Sequence, residues 1–189
     1  MVKLIDNKID RLAKQLQIRN NLDNIEYLKM RLGMQVVVSN LAKTIVVYGI
    51  SILCHIFLYT LTVHLSYYLI RQYAHGAHAK SSLSCHIQNI VLFVLLPWFI
   101  GYIKVDIILM YILAFLGFSI LVVYAPSATK KQPIPIKLRK GKKIKTIVVT
   151  LLLLCVSLIL KEPYSQLVLL GITLIAFAQL PIFFPKEDV

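Results

Sequence analysis

The sequence predicts an all-α, polytopic membrane helical protein of about six spans, preceded by an N-terminal amphipathic helical segment. Of its 189 residues, 58% are apolar or aromatic and 15% are charged, whereas soluble domains carry charge on about a quarter of their residues. Long apolar runs alternate with short polar intervals, and 21 Lys and Arg face only 8 Asp and Glu. This composition excludes disordered, collagen-like and disulfide-scaffold chains. It favours a membrane protein with cationic loops over a nucleic-acid-binding protein.

Residues 1–33 form the predicted basic segment on the cytoplasmic membrane surface. Four apolar residues recur there at helical spacing and so share one face: Ile5, Ile9, Leu12 and Leu16. The pair at 20–21, Asn-Asn, interrupts this pattern before a second short apolar face begins. A cationic helix with one apolar face is typical of a segment that lies in the membrane interface.

Residues 34–189 form the predicted transmembrane catalytic domain. The run 34–70 carries one formal charge, Lys43, and as a single helix it would measure about 55 Å against a hydrocarbon core of roughly 30 Å. Two spans with a turn between Tyr48 and Ser51 therefore fit better. The six expected spans are 34–50, 52–70, 87–103, 105–125, 144–160 and 163–184.

Two polar intervals, 71–86 and 126–145, are the predicted cytoplasmic loops. The second contains eight cations and three prolines, so we expect it to be partly extended rather than helical. With six spans, eighteen of the Lys and Arg residues fall on the side of the N-terminus and these loops, and only Lys104 and Lys161 fall on the other. The positive-inside rule makes the cation-rich side cytoplasmic.

The interval 71–86 is the densest cluster of chemically versatile side chains. It holds three of the five histidines and one of the three cysteines: His75, His78, His86 and Cys85. The residues alone leave three interpretations open. Cys85 is a nucleophile with a histidine as its base, or the histidines and Cys85 bind a metal, or the histidines are ordinary interfacial residues. Cys54 and Cys155 lie in apolar runs, where a thiol stays protonated and inert.

Geometry restricts the first interpretation. His78 and Cys85 are seven residues apart, so on one straight helix they would stand about 10 Å apart along its axis. A base must come within hydrogen-bond reach of its thiol. A continuous helix must therefore be interrupted by a turn between His78 and Cys85. Gly76 permits a further turn just upstream of His78. Gln88 and Asn89, one turn past Cys85, are candidates for an oxyanion donor.

The stretch 71–85, read as Arg-x-x-x-x-Gly-x-His-Ala-x-Ser-Ser-x-x-Cys, resembles the signature of the accessory gene regulator B (AgrB) family of staphylococcal-type quorum-sensing systems. Further segments look familiar along the whole chain: Arg-Asn-Asn-Leu-Asp at 19–23, Arg-Leu-Gly-Met-Gln at 31–35, Tyr-Ala-Pro-Ser-Ala-Thr-Lys-Lys at 124–131 and Pro-Ile-Phe-Phe-x-Lys-Glu-Asp at 181–188.

The resemblance implies a cysteine endopeptidase of the bacterial cell membrane that processes an AgrD-type propeptide into a cyclic thiolactone, with its catalytic loop on the cytoplasmic side. The family's catalytic residues fall on His78 and Cys85, and its supporting residues fall on Arg71, Gly76, Lys130 and Lys131. Gln132 stands where a third lysine often follows. The resemblance implies no cofactor, metal or nucleic acid; its partners are the propeptide and the lipid bilayer, and a homodimer stays open. A membrane peptide exporter or a metal-binding membrane protein without protease activity is the alternative.

Overall fold

The computed structural model describes residues 2–76, 82–103, 105–127 and 134–183, and within these residues it contains helices and turns but no strand. The all-α class is confirmed. The helices, in chain order, are α1 (Val2–Asn20), α2 (Asn24–Leu53), α3 (Phe57–Ala74), α4 (Ser82–Ile90), a π-helical stretch (Val91–Leu95), α5 (Leu96–Ile103), α6 (Ile107–Tyr124), α7 (Ile136–Ile159), α8 (Tyr164–Phe177) and a 3₁₀ turn (Pro181–Phe183).

The chain divides into two compact units, Met1–Val46 and Val47–Val189. In the first unit, α1 ends at the interruption expected from the two asparagines, and α2 begins with a capping box. The Glu26 N–H donates to Asp23 Oδ1 (2.6 Å) and the Asp23 N–H donates to Glu26 Oε2 (3.2 Å), so two backbone donors at the helix start are satisfied. Arg31 of α2 pairs with Asp10 of α1: its Nε donates to Oδ1 and its Nη2 donates to Oδ2.

Helix α8 forms the centre of the second unit and packs against α3, α6 and α7. Small residues let the helices approach closely, as is usual within membranes. A Cβ on Gly171 would lie 2.6 Å from Ser66 Cβ of α3, and one on Gly117 of α6 would lie 3.1 Å from Ala176 Cβ of α8. Because a larger side chain at either glycine would collide with the facing helix, these two glycines allow the close packing of α8 against α3 and α6.

Helix α6 shows that the second unit has an apolar exterior. Its buried residues recur at helical spacing, and the list includes small ones: Met110, Ala114, Gly117 and Leu121. Its exposed residues are larger: Ile108, Leu109, Ile112, Phe115, Leu116 and Val123. Among the residues that the structure describes, three helical stretches are long and apolar enough to cross a bilayer, namely Asn24–Leu53, Leu83–Ile103 and Ile107–Tyr124. The protein is therefore a polytopic membrane protein whose large apolar side chains face lipid.

The segment Leu83–Ile103 is helical throughout, but it contains a π-helical stretch before Pro97. The Leu96 N–H donates to the Val91 carbonyl, five residues back. Proline has no N–H and its ring crowds the carbonyl four residues earlier, so one wider turn accommodates it without ending the helix.

The helix ends alternate between two sides of the second unit. At one side, the Gln166 amide of α8 donates to the Val105 carbonyl before α6, and the Ser165 hydroxyl donates to the Ser157 carbonyl at 2.6 Å. At the other side, the ends of α3, α6 and α8 meet the start of α7, as described below. Helices α2, α3, α4–α5, α6, α7 and α8 overlap in order with the six segments predicted as spans, and three of these stretches in the described residues are long and apolar enough to cross a bilayer.

Four boundaries differ from the prediction. The break within 34–70 lies at 54–56, after Leu53, because α2 continues past the interval between Tyr48 and Ser51. Residues 136–145 are helical rather than extended, because the prolines of this interval all precede Ile136 and none interrupts the helix that follows. Helix α8 ends at Phe177, earlier than the expected 184. The expected domain boundary at 33/34 falls inside the continuous α2.

Candidate active site

Helix α3 ends in a tight turn that we call the exit turn (74–76), from which the chain continues towards residue 78. The His75 N–H closes the helix by donating to the Arg71 carbonyl at 3.0 Å. His75 has a φ of 58° and Gly76 a φ of 112°. Two successive positive φ values turn the backbone sharply away from the helix axis, and at the second position glycine avoids a steric penalty. The turn that Gly76 was expected to permit is therefore present.

The three carbonyls of the exit turn each accept a hydrogen bond from a different segment. Carbonyls at a helix end lack partners inside the helix, so these donors replace the missing ones. The pairs are Ala74 O with the Ser127 N–H after α6 (3.1 Å), His75 O with Gln179 Nε2 after α8 (2.9 Å), and Gly76 O with Arg71 Nη2 of α3 itself (3.2 Å).

Gly76 is also enclosed by these same groups. It is buried, and a Cβ at this position would lie 2.6 Å from Gln179 Nε2, 2.7 Å from Arg71 Nη1 and 3.0 Å from the Ala178 carbonyl oxygen. The exit turn thus needs glycine for two independent reasons, its backbone angle and its lack of space.

Cations from the start of α7 reach the exit turn. Lys142 Nζ is hydrogen-bonded to His75 Nε2, and Lys145 Nζ lies 5.6 Å from the ring centroid of Tyr73. Because Lys142 is an ammonium donor without an acceptor, the contact uses the lone pair of a neutral His75 ring. His75 is therefore engaged in holding α7 against α3.

Cys85 lies in the first turn of α4 and is partly exposed. Tyr67 of α3 lies beside the arginine that donates to the exit turn, with its ring centroid 6.0 Å from the Arg71 guanidinium carbon. Tyr67 is itself held edge-on against Phe93 of the π-helical stretch, at 5.2 Å between centroids. The first turn of a helix also carries the positive end of its dipole.

Among the residues predicted from the sequence, the structure brings Arg71, Gly76 and Cys85 to the same end of the second unit. His78, Lys130 and Lys131 lie outside the described residues. Across the described ranges, no three His, Cys, Asp or Glu side chains are grouped closely enough to hold a metal ion.

Three residues of this arrangement were missed as site residues by sequence reasoning: Ser127, Lys142 and Gln179. Gln179 had a detectable signal, because it is a polar side chain inside the apolar run 163–184, and polar groups within membranes are functional candidates by default. Lys142 was counted only as one cation of its loop. Ser127 acts through its backbone N–H, for which the sequence has no signal.

Comparisons with known proteins agree on one family. The family model of accessory gene regulator B matches residues 5–179. Accessory gene regulator protein B of Staphylococcus saprophyticus subsp. saprophyticus is 67% identical to this chain, with 100% of both chains covered. The proteins of that name from Staphylococcus haemolyticus and Staphylococcus epidermidis are 58% and 51% identical, covering 99% and 100% of this chain and 100% and 97% of their own. No solved structure matches. The chain belongs to the accessory gene regulator B (AgrB) family.

Proposed function

We propose that this protein is a membrane cysteine endopeptidase that cleaves an AgrD-type propeptide and passes the resulting acyl group to a propeptide cysteine, giving a cyclic thiolactone. Cys85 is the nucleophile and His78 its base. The observation that carries the proposal is the position of Cys85 in the first turn of α4, a helix whose first residue, Ser82, is six residues after the end of the exit turn that leads to His78.

Covalent geometry supports the pairing of these two residues. His78 is three residues from His75 and four from the first residue of α4, so its Cα lies within about 11 Å of the His75 Cα. Helix α3 ends at Ala74, and the positive φ values of the exit turn direct the chain away from its axis, so α3 does not run on as one straight helix to Cys85.

The first chemical step is acyl transfer to the enzyme. His78 takes the Cys85 proton, the thiolate attacks a propeptide carbonyl carbon, and the C–N bond breaks as His78 returns the proton to the leaving amine. The products are a thioester on Cys85 and a free C-terminal peptide. Cys85 lies in the first turn of α4, where the helix dipole is positive.

The second step exchanges one thioester for another. A cysteine thiol of the bound acyl segment loses its proton to His78 and attacks the thioester carbonyl, and Cys85 leaves as thiolate and recovers that proton. One C–S bond forms as another breaks, so the exchange needs no ATP. Water would hydrolyse the intermediate, and a site at the membrane edge limits its access.

The cationic residues supply substrate attraction in this proposal. Lys130 and Lys131 precede the start of α7, where exposed Lys and Arg side chains continue on the same side of the unit as the exit turn. A field of one sign attracts an acidic propeptide from solution. By the positive-inside rule, the same cations support a cytoplasmic location for this end of the unit in the bacterial cell membrane.

The test uses the full chain in liposomes with a synthetic propeptide. Cys85→Ser should abolish cleavage, whereas Cys54→Ser and Cys155→Ser, both exposed on the second unit, should keep wild-type rates. Mass spectrometry should find a propeptide fragment linked to Cys85 when the propeptide cysteine is replaced by serine. Normal cleavage by Cys85→Ser would eliminate the protease proposal in favour of an exporter, and loss of cleavage in chelator would favour a metal site.

A further inference from the structure

We propose that Gln179 is a positioning residue of this active site. Its side-chain amide holds the His75 carbonyl and thereby fixes the exit turn from which the chain proceeds to His78. The inference rests on the proposed function and extends it to a residue about one hundred positions away in sequence, at the end of the last membrane helix.

The contacts of Gln179 make it a rigid anchor. Its side chain is 1% exposed, Nε2 donates to His75 O at 2.9 Å, and the same nitrogen limits the space beside Gly76. Gln179 follows α8, the most deeply buried helix of the unit, and its own N–H donates to the Ala176 carbonyl at 3.0 Å. A donor attached to the core of the unit therefore determines where the exit turn lies.

Gln179 is an unfavourable choice for packing alone. Its Oε1 is buried, and among the residues that the structure describes it has no hydrogen-bond partner. An amide that is only half satisfied is less stable in a bundle than an apolar side chain of the same shape. The chain keeps this cost at a position from which the side chain reaches the His75 carbonyl.

Gln166 provides a matched control. Gln166 lies in α8, the helix that Gln179 follows. It is 2% exposed, and its side-chain amide also donates to a backbone carbonyl, that of Val105. Its hydrogen bond is at the opposite end of α8, away from Cys85. Methionine has nearly the same length and volume as glutamine. Gln166→Met removes a side-chain hydrogen bond at the start of α8, and Gln179→Met removes one just after its end.

The experiment compares Gln179→Met with Gln166→Met in the full chain, with Cys54 and Cys155 replaced by serine and the protein in liposomes. Two quantities are measured: kcat and KM for propeptide cleavage, and the pH dependence of Cys85 alkylation by iodoacetamide without propeptide. Gln179→Met should lower kcat on the order of 10- to 100-fold, since misplaced catalytic groups cost about that much, with KM within about twofold. Its alkylation profile should move to higher pH.

Gln166→Met should leave both profiles unchanged. Equal losses in the two variants would reduce Gln179 to a structural residue and overturn the inference. Gln179→Asn keeps an amide but is one methylene too short to reach His75, so a fully active Asn variant would overturn it as well. Cleavage that persists in Cys85→Ser would instead remove the proposed function, and Cys85-dependent cleavage that is indifferent to Gln179 would remove only this inference.

Discussion

Replacing Gly76 with alanine tests whether the exit turn controls catalysis. The change adds a single methyl group to a buried residue whose φ is 112°. Among the described residues, the atoms nearest to this methyl group belong to Gln179, Arg71 and Ala178, so we expect a loss of activity to be transmitted through the turn.

The expected cost has two parts. An L-residue at a sparsely populated positive φ costs about 1 to 3 kcal/mol. The methyl group would also lie 2.6 Å from Gln179 Nε2 and 2.7 Å from Arg71 Nη1, so at least one of these donors must withdraw from its carbonyl, at about 1 kcal/mol for a neutral hydrogen bond and somewhat more for a charged one. A total of about 3 kcal/mol leaves the native turn roughly a hundredfold less populated relative to a remodelled one.

The assay is propeptide cleavage in liposomes together with thermal unfolding in detergent. Gly76→Ala should cut kcat by at least about tenfold while the second unit stays folded, because the strain is confined to the turn. Gly141→Ala is the control: a Cβ there meets nothing within 4 Å, and alanine in a helix is favourable by up to about 1 kcal/mol. Full activity in Gly76→Ala at unchanged stability would refute the reasoning that links the exit turn to Cys85.

Two further predictions concern other contacts of the second unit. Gly171→Ala should lower stability by about 1 to 3 kcal/mol, because its Cβ would lie 3.0 Å from the Tyr67 N and the Val63 O, and backbone atoms cannot move aside. Thermal unfolding should show this loss. A Tm equal to that of the control Gly33→Ala, where a Cβ meets nothing within 4 Å, would contradict it. Lys142→Met should reduce cleavage several-fold more than Lys140→Met does, since Lys142 bonds His75 whereas Lys140 is exposed. Equal rates for the two variants at two propeptide concentrations would show that these lysines act only through their charge.

The architecture was largely predictable because its signals are local. Apolar runs long enough to cross a bilayer indicate the membrane helices. The unequal distribution of Lys and Arg between the two sets of loops predicts the orientation of these helices in the membrane. The errors came from boundaries where two local rules compete. The sequence 126–145 contains three prolines and eight cations, yet the prolines end where α7 begins, and a Pro just before a helix starts it rather than breaking it. The break at 54–56 has neither proline nor glycine, so no local residue marks it.

The site was predictable only in part, for a physical reason. The spacing of His78 and Cys85 and the presence of Gly76 can be read from one short segment. The donors that hold this segment come from Ser127 and Gln179, about fifty and one hundred residues further along. Tertiary packing, not sequence proximity, selects them.

The free energies of the hydrogen bonds at the exit turn are large enough to account for its fixed geometry. Ordering the backbone of three residues costs about 3 to 6 kcal/mol. Three hydrogen bonds to otherwise orphaned carbonyls return about 0.5 to 1.5 kcal/mol each, and the one from Arg71 somewhat more because it is charged. The two sums are similar, so the turn has no surplus stability and each donor matters. Because the donors belong to α3, α8 and the end of α6, a small shift of any of these helices changes the position from which the chain departs towards His78. Substitutions deep in the membrane helices should therefore alter cleavage without touching the propeptide.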